Sequence, residues 1–366
     1  MGRVHSLFVK PSLECTAACG HCEARRAFYR GRNGARLSLE EHKAVIQEAG
    51  YLGARSLHLS GGEPTLYPGL VELVSEGRRV GMFTVLNTNG SLITPDYAAD
   101  LVGAGLDSVI ISLHSHRPEE HDSVRRRKGN FDEVVRAIDT FKVLQHQGHP
   151  RFIISTQTIV LRSNYRDLPA IIDLVCSLDV DAHGISYVEG DFALQNTPTI
   201  EDVGFLRTSV LPEVAARLKR HRFRHPILKY AALRLVSRLY SGNTSRRLRM
   251  SSGVYLERVA GRKCRTPKGF VMVLADGSVL PCNMVEYTGG PILGNVRRTR
   301  LAEVIASDRW TEFARAGYEY CRHCPTHLHF HVPISTSVGR ILPLLVKNPA
   351  YEQKSIPRRV REALWH

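Results

Sequence analysis

The sequence predicts an α/β fold: a partial (β/α)6 TIM-like barrel followed by a small C-terminal α+β domain. Short apolar runs alternate with amphipathic stretches along residues 4–190, which is typical of a parallel sheet covered by helices. Six such strand–helix units suit a partial barrel better than a complete eight-fold one. After residue 195 this alternation stops, and a cysteine-bearing segment with a hairpin signal predicts the second domain.

The barrel half predicts six strands with helices between them. Ser38-Leu-Glu-Glu41 is a capping box, in which the serine and glutamate side chains satisfy backbone N–H groups at the start of a helix. Asn130 is predicted to be the N-cap of a later helix that begins at Phe131. We expect strands at residues 6–10, 56–60, 82–87, 108–113, 152–161 and 184–188, and helices at residues 38–52, 69–76, 95–103, 131–145 and 165–177.

The chain therefore divides into four parts, of which residues 1–195 form the barrel. Residues 196–255 are predicted to be a basic helical linker, since arginine and lysine are frequent in the helical pattern of residues 211–240. Residues 256–330 form the cysteine-bearing domain, in which Asp276-Gly277 is predicted to turn a hairpin. Residues 331–366 are a tail that contains an apolar patch followed by basic residues.

The composition limits the class of protein. Apolar residues make up 43% of the chain, which is enough for a sizeable core. No signal peptide and no apolar run of about 18 residues is present, so we expect a cytoplasmic protein without a transmembrane segment. The net charge of +15 reflects either an arginine-rich surface or a partner that carries phosphate or carboxylate groups. Nucleic acid is a weakly supported partner, because the aromatic residues are not interleaved with the basic clusters.

Three closely spaced cysteines carry the strongest chemical signal. Eight cysteines without a secretion signal favour metal ligation over disulfides, and three of them lie in Cys15-Thr-Ala-Ala-Cys19-Gly-His-Cys22. Thiolates are the usual ligands of iron–sulfur clusters. Three thiolates leave one iron of a cubane cluster without a protein ligand, so a small molecule can bind that iron and receive an electron.

A second motif, Gly61-Gly62-Glu63-Pro64, follows the second predicted strand. Its glycines let the backbone approach a ligand closely, and Glu63 can accept hydrogen bonds from an ammonium group. The cysteine motif, with this segment about 40 residues later, resembles the pattern of the radical S-adenosylmethionine (SAM) superfamily. The resemblance implies that the three cysteines hold a 4Fe-4S cluster and that residues 61–64 hold the amino group of SAM.

Three further positions match the same family in order along the chain. Asn89, in Thr88-Asn89-Gly90, resembles a family segment that lies near SAM, and Ser112 ends the fourth strand where relatives often contact the SAM ribose. Arg125, in His121-Asp122-Ser-Val-Arg125, resembles the arginine that pairs with the SAM carboxylate. The alternatives are an ordinary turn at Asn89-Gly90 and a solvated basic run around Arg125.

The remaining cysteines predict a second metal site. Their order resembles the opening of the SPASM extension of radical SAM enzymes, and the lack of later cysteines suits the shorter twitch type, with one fully ligated auxiliary 4Fe-4S cluster. Tetrahedral zinc, held by four cysteines or with a histidine from residues 323–331, is the alternative. The four predicted ligands are Cys264, Cys282, Cys321 and Cys324.

Cys176 is the cysteine outside both sets, and it lies in an apolar helical pattern. We expect a buried, inert thiol at this position. The alternative is a hydrogen-atom donor to a substrate radical, which epimerases of the superfamily require.

The resemblance implies an enzyme that cleaves SAM reductively to a 5′-deoxyadenosyl radical, with flavodoxin or ferredoxin as electron donor. We expect hydrogen abstraction from a small-molecule substrate, namely a sugar, aminocyclitol or nucleotide-linked sugar of antibiotic biosynthesis, followed by dehydrogenation or epimerisation. The basic composition suits a phosphorylated or nucleotide-linked substrate. A maturase of a ribosomally made peptide is the first alternative, and the early start of the first strand speaks against its leader-binding domain. A non-catalytic zinc-binding protein is the alternative of another class.

Overall fold

The computed structural model describes residues 4–22, 36–149, 151–188, 195–221 and 269–317. Nine strands form one sheet: β1 (Ser6–Ser12), β2 (Ser56–Gly61), β3 (Phe83–Thr88), β4 (Ser108–Ser112), β5 (Ile153–Val160), β6 (Ala182–Tyr187), β7 (Phe270–Leu274), β8 (Ser278–Leu280) and β9 (Gly294–Asn295). Their spatial order is β6-β5-β4-β3-β2-β1-β7-β8-β9, and β1 to β6 are parallel. The predicted α/β class with a partial parallel barrel is therefore confirmed.

Helices connect the strands and cover one face of the sheet. They are α1 (Leu39–Tyr51), α2 (Leu70–Arg79), α3 (Pro95–Ala104), α4 (Pro118–Arg125), α5 (Asn130–Gln147), α6 (Leu168–Ser177), α7 (Ile200–Phe205), α8 (Leu211–Arg220), α9 (Asn283–Thr288), α10 (Leu301–Ala306) and α11 (Asp308–Ala316). A π-helical stretch, Leu206–Val210, joins α7 to α8. Within the described part of the chain, none of the helices combines the length and apolar character needed to cross a bilayer.

The two faces of the barrel strands differ in polarity, because successive side chains of a strand point to opposite faces. The outer face carries Leu57, Leu86 and Ile111, which are fully buried in the core beneath the helices. Each such side chain contributes about 1.5–3 kcal/mol of burial free energy. The opposite face, called the inner face below, carries partly exposed hydroxyl and amide side chains, namely Ser60, Asn87, Ser112, Gln157 and Ser186.

Two helix starts test the capping predictions. The capping box of α1 is confirmed, since Ser38 Oγ accepts from the Glu41 N–H at 3.2 Å and Glu41 Oε2 accepts from the Ser38 N–H at 2.6 Å. The predicted N-cap at Asn130 is wrong, because Asn130 is already the first residue of α5. Asp122 replaces it: its carboxylate accepts from the N–H groups of Gly129 and Phe131, which leaves the Asn130 side chain for other contacts.

The C-terminal strands extend the barrel sheet. The predicted hairpin is confirmed, since β7 and β8 pair in antiparallel fashion around Asp276 and Gly277. β7 also pairs with β1 in parallel, from Ser6 opposite Phe270 to Lys10 opposite Leu274, which the sequence did not indicate. The boundaries predicted for the four parts of the chain stay predictions.

A buried ion pair links this C-terminal region to the barrel. Lys10, on β1, is 6% exposed, and Glu286, on α9, is 1% exposed. The Lys10 ammonium donates to both carboxylate oxygens at 2.5 Å. Because Glu286 lies one helical turn after Cys282, this pair fixes the helix that follows one predicted cluster ligand.

Replacing Glu286 with glutamine is expected to lower the free energy of unfolding by about 3–5 kcal/mol, because it removes the carboxylate charge that pairs with the buried Lys10 ammonium. Urea denaturation of the anaerobic protein measures this loss. Exposed Glu303, in α10, provides the matched control, and Glu303→Gln is expected to change stability by less than about 0.5 kcal/mol. Equal stability of the two variants would show that the Lys10–Glu286 pair does not support the fold.

Candidate functional site

The motif residues of the barrel lie together at the carboxyl ends of its strands. The cysteine motif follows β1, residues 61–64 end β2, Asn89 follows β3 and Ser112 ends β4. Carboxyl ends of parallel strands meet at one edge of the sheet, where sites of barrel enzymes are built. The loop that carries the cysteines, residues 13–22, is called the cysteine loop below.

Gly61 and Gly62 allow the cysteine loop to pack against the end of β2. The Gly62 N–H donates to the Ser12 carbonyl at 3.0 Å, and the Glu63 N–H donates to the Glu14 carbonyl at 2.6 Å. Gly61 has a φ of +140°, and a Cβ on Gly62 would meet the Leu13 carbonyl oxygen at 2.5 Å and that of Glu14 closer still. These glycines therefore let the end of β2 approach the backbone of the cysteine loop closely.

Glu63 is fully buried and uses its carboxylate within the protein. Oε1 accepts from the Thr65 N–H at 3.2 Å, the Thr65 hydroxyl at 2.7 Å and the Thr88 hydroxyl at 2.7 Å, while Oε2 accepts from the Asn89 N–H at 2.7 Å. Three of these bonds end on Oε1 and one on Oε2, so together they fix the orientation of the carboxylate. Glu63 thus ties the β2 turn to the end of β3, and the ammonium contact predicted for it stays a prediction. Pro64 is buried and begins a short 3-10 turn after it.

Asn89 binds the cysteine loop through its side chain. Its Nδ2 group donates to Thr16 Oγ1 at 2.9 Å and to Cys15 Sγ at 3.7 Å. Thr16 Oγ1 also lies 2.7 Å from Ser91 Oγ, and the Thr16 carbonyl accepts from Arg127 Nη1 at 3.3 Å. The loop is therefore held in place by side chains that follow β3 and α4.

Arg125 contacts the cysteine loop through its backbone and lies buried beside it. Its carbonyl oxygen accepts from the Ala18 N–H at 3.0 Å and lies 3.7 Å from Cys19 Sγ. Its guanidinium donates to Asn130 Oδ1 and approaches His114 Nε2 at 3.4 Å. Among the residues that the structure describes, no carboxylate pairs with this guanidinium, which is 7% exposed. A buried positive charge without a counter-ion favours an anionic ligand.

Three histidines surround Arg125 and are neutral at pH 7. The His114 ring contacts those of His21 and His121, with centroid distances of 5.2 Å and 5.9 Å. Burial, and then the charge of Arg125, lowers the pKa of His21 and of His121 to about 4. Burial also lowers the pKa of His114 well below its usual value. The histidine rings around the Arg125 guanidinium therefore supply no charge of their own.

Ser112 belongs to the polar inner face. It lies opposite Gln157 in the β4–β5 pairing, and Gln157 Nε2 donates to Ser186 Oγ at 2.9 Å. Its predicted contact with the SAM ribose stays a prediction. The neutral hydrogen-bonding groups around it suit a ligand that presents hydroxyl or amide groups.

The cysteine loop fits an iron–sulfur cluster by the chemistry of its donors. Cys15 Sγ accepts from the Ala17 N–H at 3.4 Å and from Asn89, and such N–H donors stabilise a thiolate. In the described ranges, no three His, Cys, Asp or Glu side chains converge on a single metal ion. This is compatible with a cluster, because each thiolate of a cluster binds a different iron atom.

The predicted auxiliary site is described only in part. Cys282 is partly buried and immediately precedes α9. Cys264, Cys321 and Cys324, together with the histidines at residues 323–331, lie outside the described residues.

Cys176 lies far from the inner face in the fold. It is the ninth residue of α6, partly buried against the core on the helix-covered side of the sheet, and burial raises the pKa of its thiol. A hydrogen donor must reach a substrate on the inner face, so this placement speaks against that interpretation. Cys176 is only partly buried, and the inert thiol predicted at this position stays a prediction.

Sequence reasoning missed several residues that build the site. Thr65 and Thr88 hold Glu63, while His114 and Asn130 surround Arg125. Their sequence neighbours were recognised, since each lies within five residues of a motif position. The contacts of these four residues depend on which strands are neighbours in the sheet. That order cannot be predicted from the local sequence around each residue.

Comparisons with known proteins agree with this geometry. Residues 9–175 match the model of the radical SAM superfamily, and residues 264–325 match the SPASM iron–sulfur cluster-binding domain. The second match begins at predicted ligand Cys264 and includes Cys282, Cys321 and Cys324.

Two curated relatives and one solved structure illustrate the similarity. The chain is 32% identical to the PqqA peptide cyclase of Rhodopseudomonas palustris over 302 residues, which cover 80% of this chain and 71% of that protein. It is 34% identical to the Fe-coproporphyrin III synthase of Methanosarcina barkeri over 209 residues, which cover 54% of this chain and only 50% of that protein. The crystal structure of Streptococcus suis SuiB bound to S-adenosylmethionine has the same fold, with a TM-score of 0.62 at 14% identity, over 88% of this chain and 69% of that chain.

Proposed function

Because this chain belongs to the radical SAM superfamily and carries a C-terminal SPASM iron–sulfur domain, we propose that it cleaves SAM reductively and abstracts hydrogen from a substrate at the inner face. The observation that carries the proposal is the cysteine loop, which the ends of β2 and β3 and the backbone of Arg125 hold in place. A cluster bound by Cys15, Cys19 and Cys22 would supply the electron that breaks the C5′–S bond of SAM. Buried Arg125 suits the SAM carboxylate, as the sequence predicted.

The proposal is tested by reductive cleavage of SAM. Anaerobically reconstituted protein is incubated with dithionite and SAM, and 5′-deoxyadenosine and methionine are measured by liquid chromatography with mass spectrometry. We expect slow formation of both products even without substrate. A protein that holds its full complement of iron and yet forms no 5′-deoxyadenosine would rule out the proposed reaction.

Replacing Arg125 with methionine is expected to weaken SAM binding roughly tenfold to hundredfold, because a charged hydrogen-bond donor contributes about 1.5–3 kcal/mol. The Arg125 carbonyl that holds the cysteine loop remains, so the iron content is expected to stay unchanged. Equilibrium dialysis of SAM against the loaded protein measures the affinity. Exposed Arg126 gives the matched control, Arg126→Gln, and equal SAM affinity of the two variants would remove Arg125 from the SAM site.

For the substrate, we propose a small molecule with hydroxyl groups, such as a sugar, an aminocyclitol or a nucleotide-linked sugar. The inner face supports this class, since its described polar residues are neutral apart from Lys10, which pairs with Glu286. A panel of nucleotide-linked sugars is expected to accelerate 5′-deoxyadenosine formation. Gln157→Leu is expected to remove that acceleration and to leave the slow substrate-free cleavage unchanged.

A peptide substrate is the second candidate, and the similarity to PqqA peptide cyclase favours it. The same hydroxyl and amide side chains also suit the backbone groups of a peptide. Short peptides are therefore tested beside the sugar panel. Acceleration by peptides alone would replace the first candidate with the second.

For the reaction type, we propose a two-electron oxidation, in which the auxiliary site accepts the second electron. Cys176→Ala is then expected to leave the yield of product per SAM cleaved unchanged, because Cys176 lies on the helix-covered side of the sheet. The measurement is the ratio of product to 5′-deoxyadenosine in heavy water. Deuterium at the reacting carbon of an unoxidised product would establish epimerisation instead.

A further inference from the structure

Cys15 and Cys19 occupy different electrostatic surroundings in the cysteine loop. Cys15 Sγ accepts from the Ala17 N–H at 3.4 Å and from Asn89 Nδ2 at 3.7 Å. Cys19 Sγ instead faces the carbonyl oxygen of Arg125 at 3.7 Å. A thiolate accepts hydrogen bonds, so the two N–H donors at Cys15 stabilise negative charge on its sulfur.

The Asn89 amide is fixed in the orientation that presents N–H to the sulfur. Asn89 is 3% exposed, and its Oδ1 accepts from the Ser91 N–H at 2.9 Å, which places Nδ2 toward the cysteine loop. Its backbone N–H donates to Glu63 at 2.7 Å, and its carbonyl accepts from Asn130 Nδ2 at 3.2 Å. The backbone of Asn89 is therefore anchored from both the β2 turn and α5.

We propose that Asn89 sets the reduction potential of the SAM-binding cluster by donating a hydrogen bond to Cys15 Sγ, with Glu63 holding Asn89 in position. The inference rests on the proposed function, since it requires a cluster on Cys15, Cys19 and Cys22. Reduction adds negative charge to a cluster, and N–H donors to its sulfurs stabilise that charge and raise the potential. Asn89 thus acts on the electron-transfer step through Cys15, a role distinct from the SAM contact that its motif predicted.

The test is a potentiometric titration of the loaded holoprotein followed by electron paramagnetic resonance. The signal of the SAM-binding cluster is identified as the one that changes when SAM is added. Asn89→Asp keeps the shape of the side chain and the acceptor for Ser91, but places an oxygen where the N–H donor was. We expect its midpoint potential to shift to more negative values, with iron and sulfide contents equal to those of the wild type.

Ser91→Ala is the matched control. Ser91 Oγ lies 2.7 Å from Thr16 Oγ1 in the same loop, and the described structure shows no contact between its hydroxyl and a sulfur. We expect the wild-type potential in this variant. An unchanged potential in fully loaded Asn89→Asp would overturn the inference, as would an equal shift in Ser91→Ala.

A second variant tests the inference in case Asn89→Asp does not bind a full complement of cluster. Asn89→Ser retains a hydroxyl that can accept from Ser91 and is one bond too short for Cys15, so we expect a negative shift here as well. Failure of both Asn89 variants to hold the cluster while Ser91→Ala loads normally would show a purely structural role and overturn the inference. If the wild type itself has no SAM-sensitive signal, the proposed function fails and not the role of Asn89 alone.

Discussion

Replacing Cys15, Cys19 and Cys22 together with alanine is expected to abolish 5′-deoxyadenosine formation and to remove about half of the bound iron, about four of about eight atoms per chain. The reason is that seven cysteines fall into a three-ligand set and a four-ligand set, and the three-ligand set lies on the loop that Arg125 and Asn89 contact. Iron and sulfide analysis after anaerobic reconstitution, with a SAM cleavage assay, measures both effects.

Cys176→Ala is the matched control for this triple substitution. It also removes a thiol, but one on α6 and outside both ligand sets, so iron content and SAM cleavage are expected to stay at wild-type values. A triple variant that retains all of its iron would contradict the assignment of the cysteine loop to a cluster. Zinc in place of iron in the wild type would instead support the zinc-binding alternative.

Replacing Gly62 with alanine is expected to displace the cysteine loop and to cause loss of iron from the SAM-binding cluster. The added Cβ would meet the Leu13 carbonyl oxygen at 2.5 Å, a distance that real Cβ atoms essentially never show, and the Glu14 carbonyl closer still. Both obstacles are backbone atoms, so no side chain can rotate away to make room. Overpacking of this kind costs about 1–3 kcal/mol of stability, and 5′-deoxyadenosine formation is expected to fall in proportion to the iron lost.

Gly103→Ala separates this effect from the general consequence of adding a methyl group to a glycine. A Cβ at Gly103, inside α3, meets no atom within 4 Å. We expect that variant to bind wild-type iron and to gain about 0.5–1 kcal/mol of stability, since alanine is the better helix former. Normal iron content and SAM cleavage in Gly62→Ala would refute the close packing of the β2 turn against the loop.

The residues that were predicted correctly carry local signals. Ser38 and Glu41 lie three residues apart and cap α1 without help from the rest of the fold. The hairpin turn at Asp276-Gly277 is also a local signal, since Gly277 adopts a φ of +85° that favours glycine. Asn130 fails as an N-cap because Asp122, on the preceding helix, satisfies the N–H groups at the start of α5.

The features that the sequence did not predict depend on contacts between distant parts of the chain. Glu63 was located by its motif, but its hydrogen-bond donors include Thr88 and Asn89, about 25 residues away. The pairing of β1 with β7 joins residues more than 260 positions apart. An apolar run predicts a strand from local pattern alone, whereas its neighbour in the sheet is chosen by the packing of the whole domain.

The pairing of β1 with β7 has a consequence for folding during synthesis. β1 leads directly into the cysteine loop, but one of its two edges is covered only by a strand that begins at Phe270. Until that strand leaves the ribosome, β1 presents unpaired backbone groups to other chains, and such edges promote aggregation. A fragment that ends near residue 195 lacks β7, so this edge of β1 stays uncovered in it. We therefore expect the sheet around β1 to be completed only after the iron–sulfur domain has been synthesised.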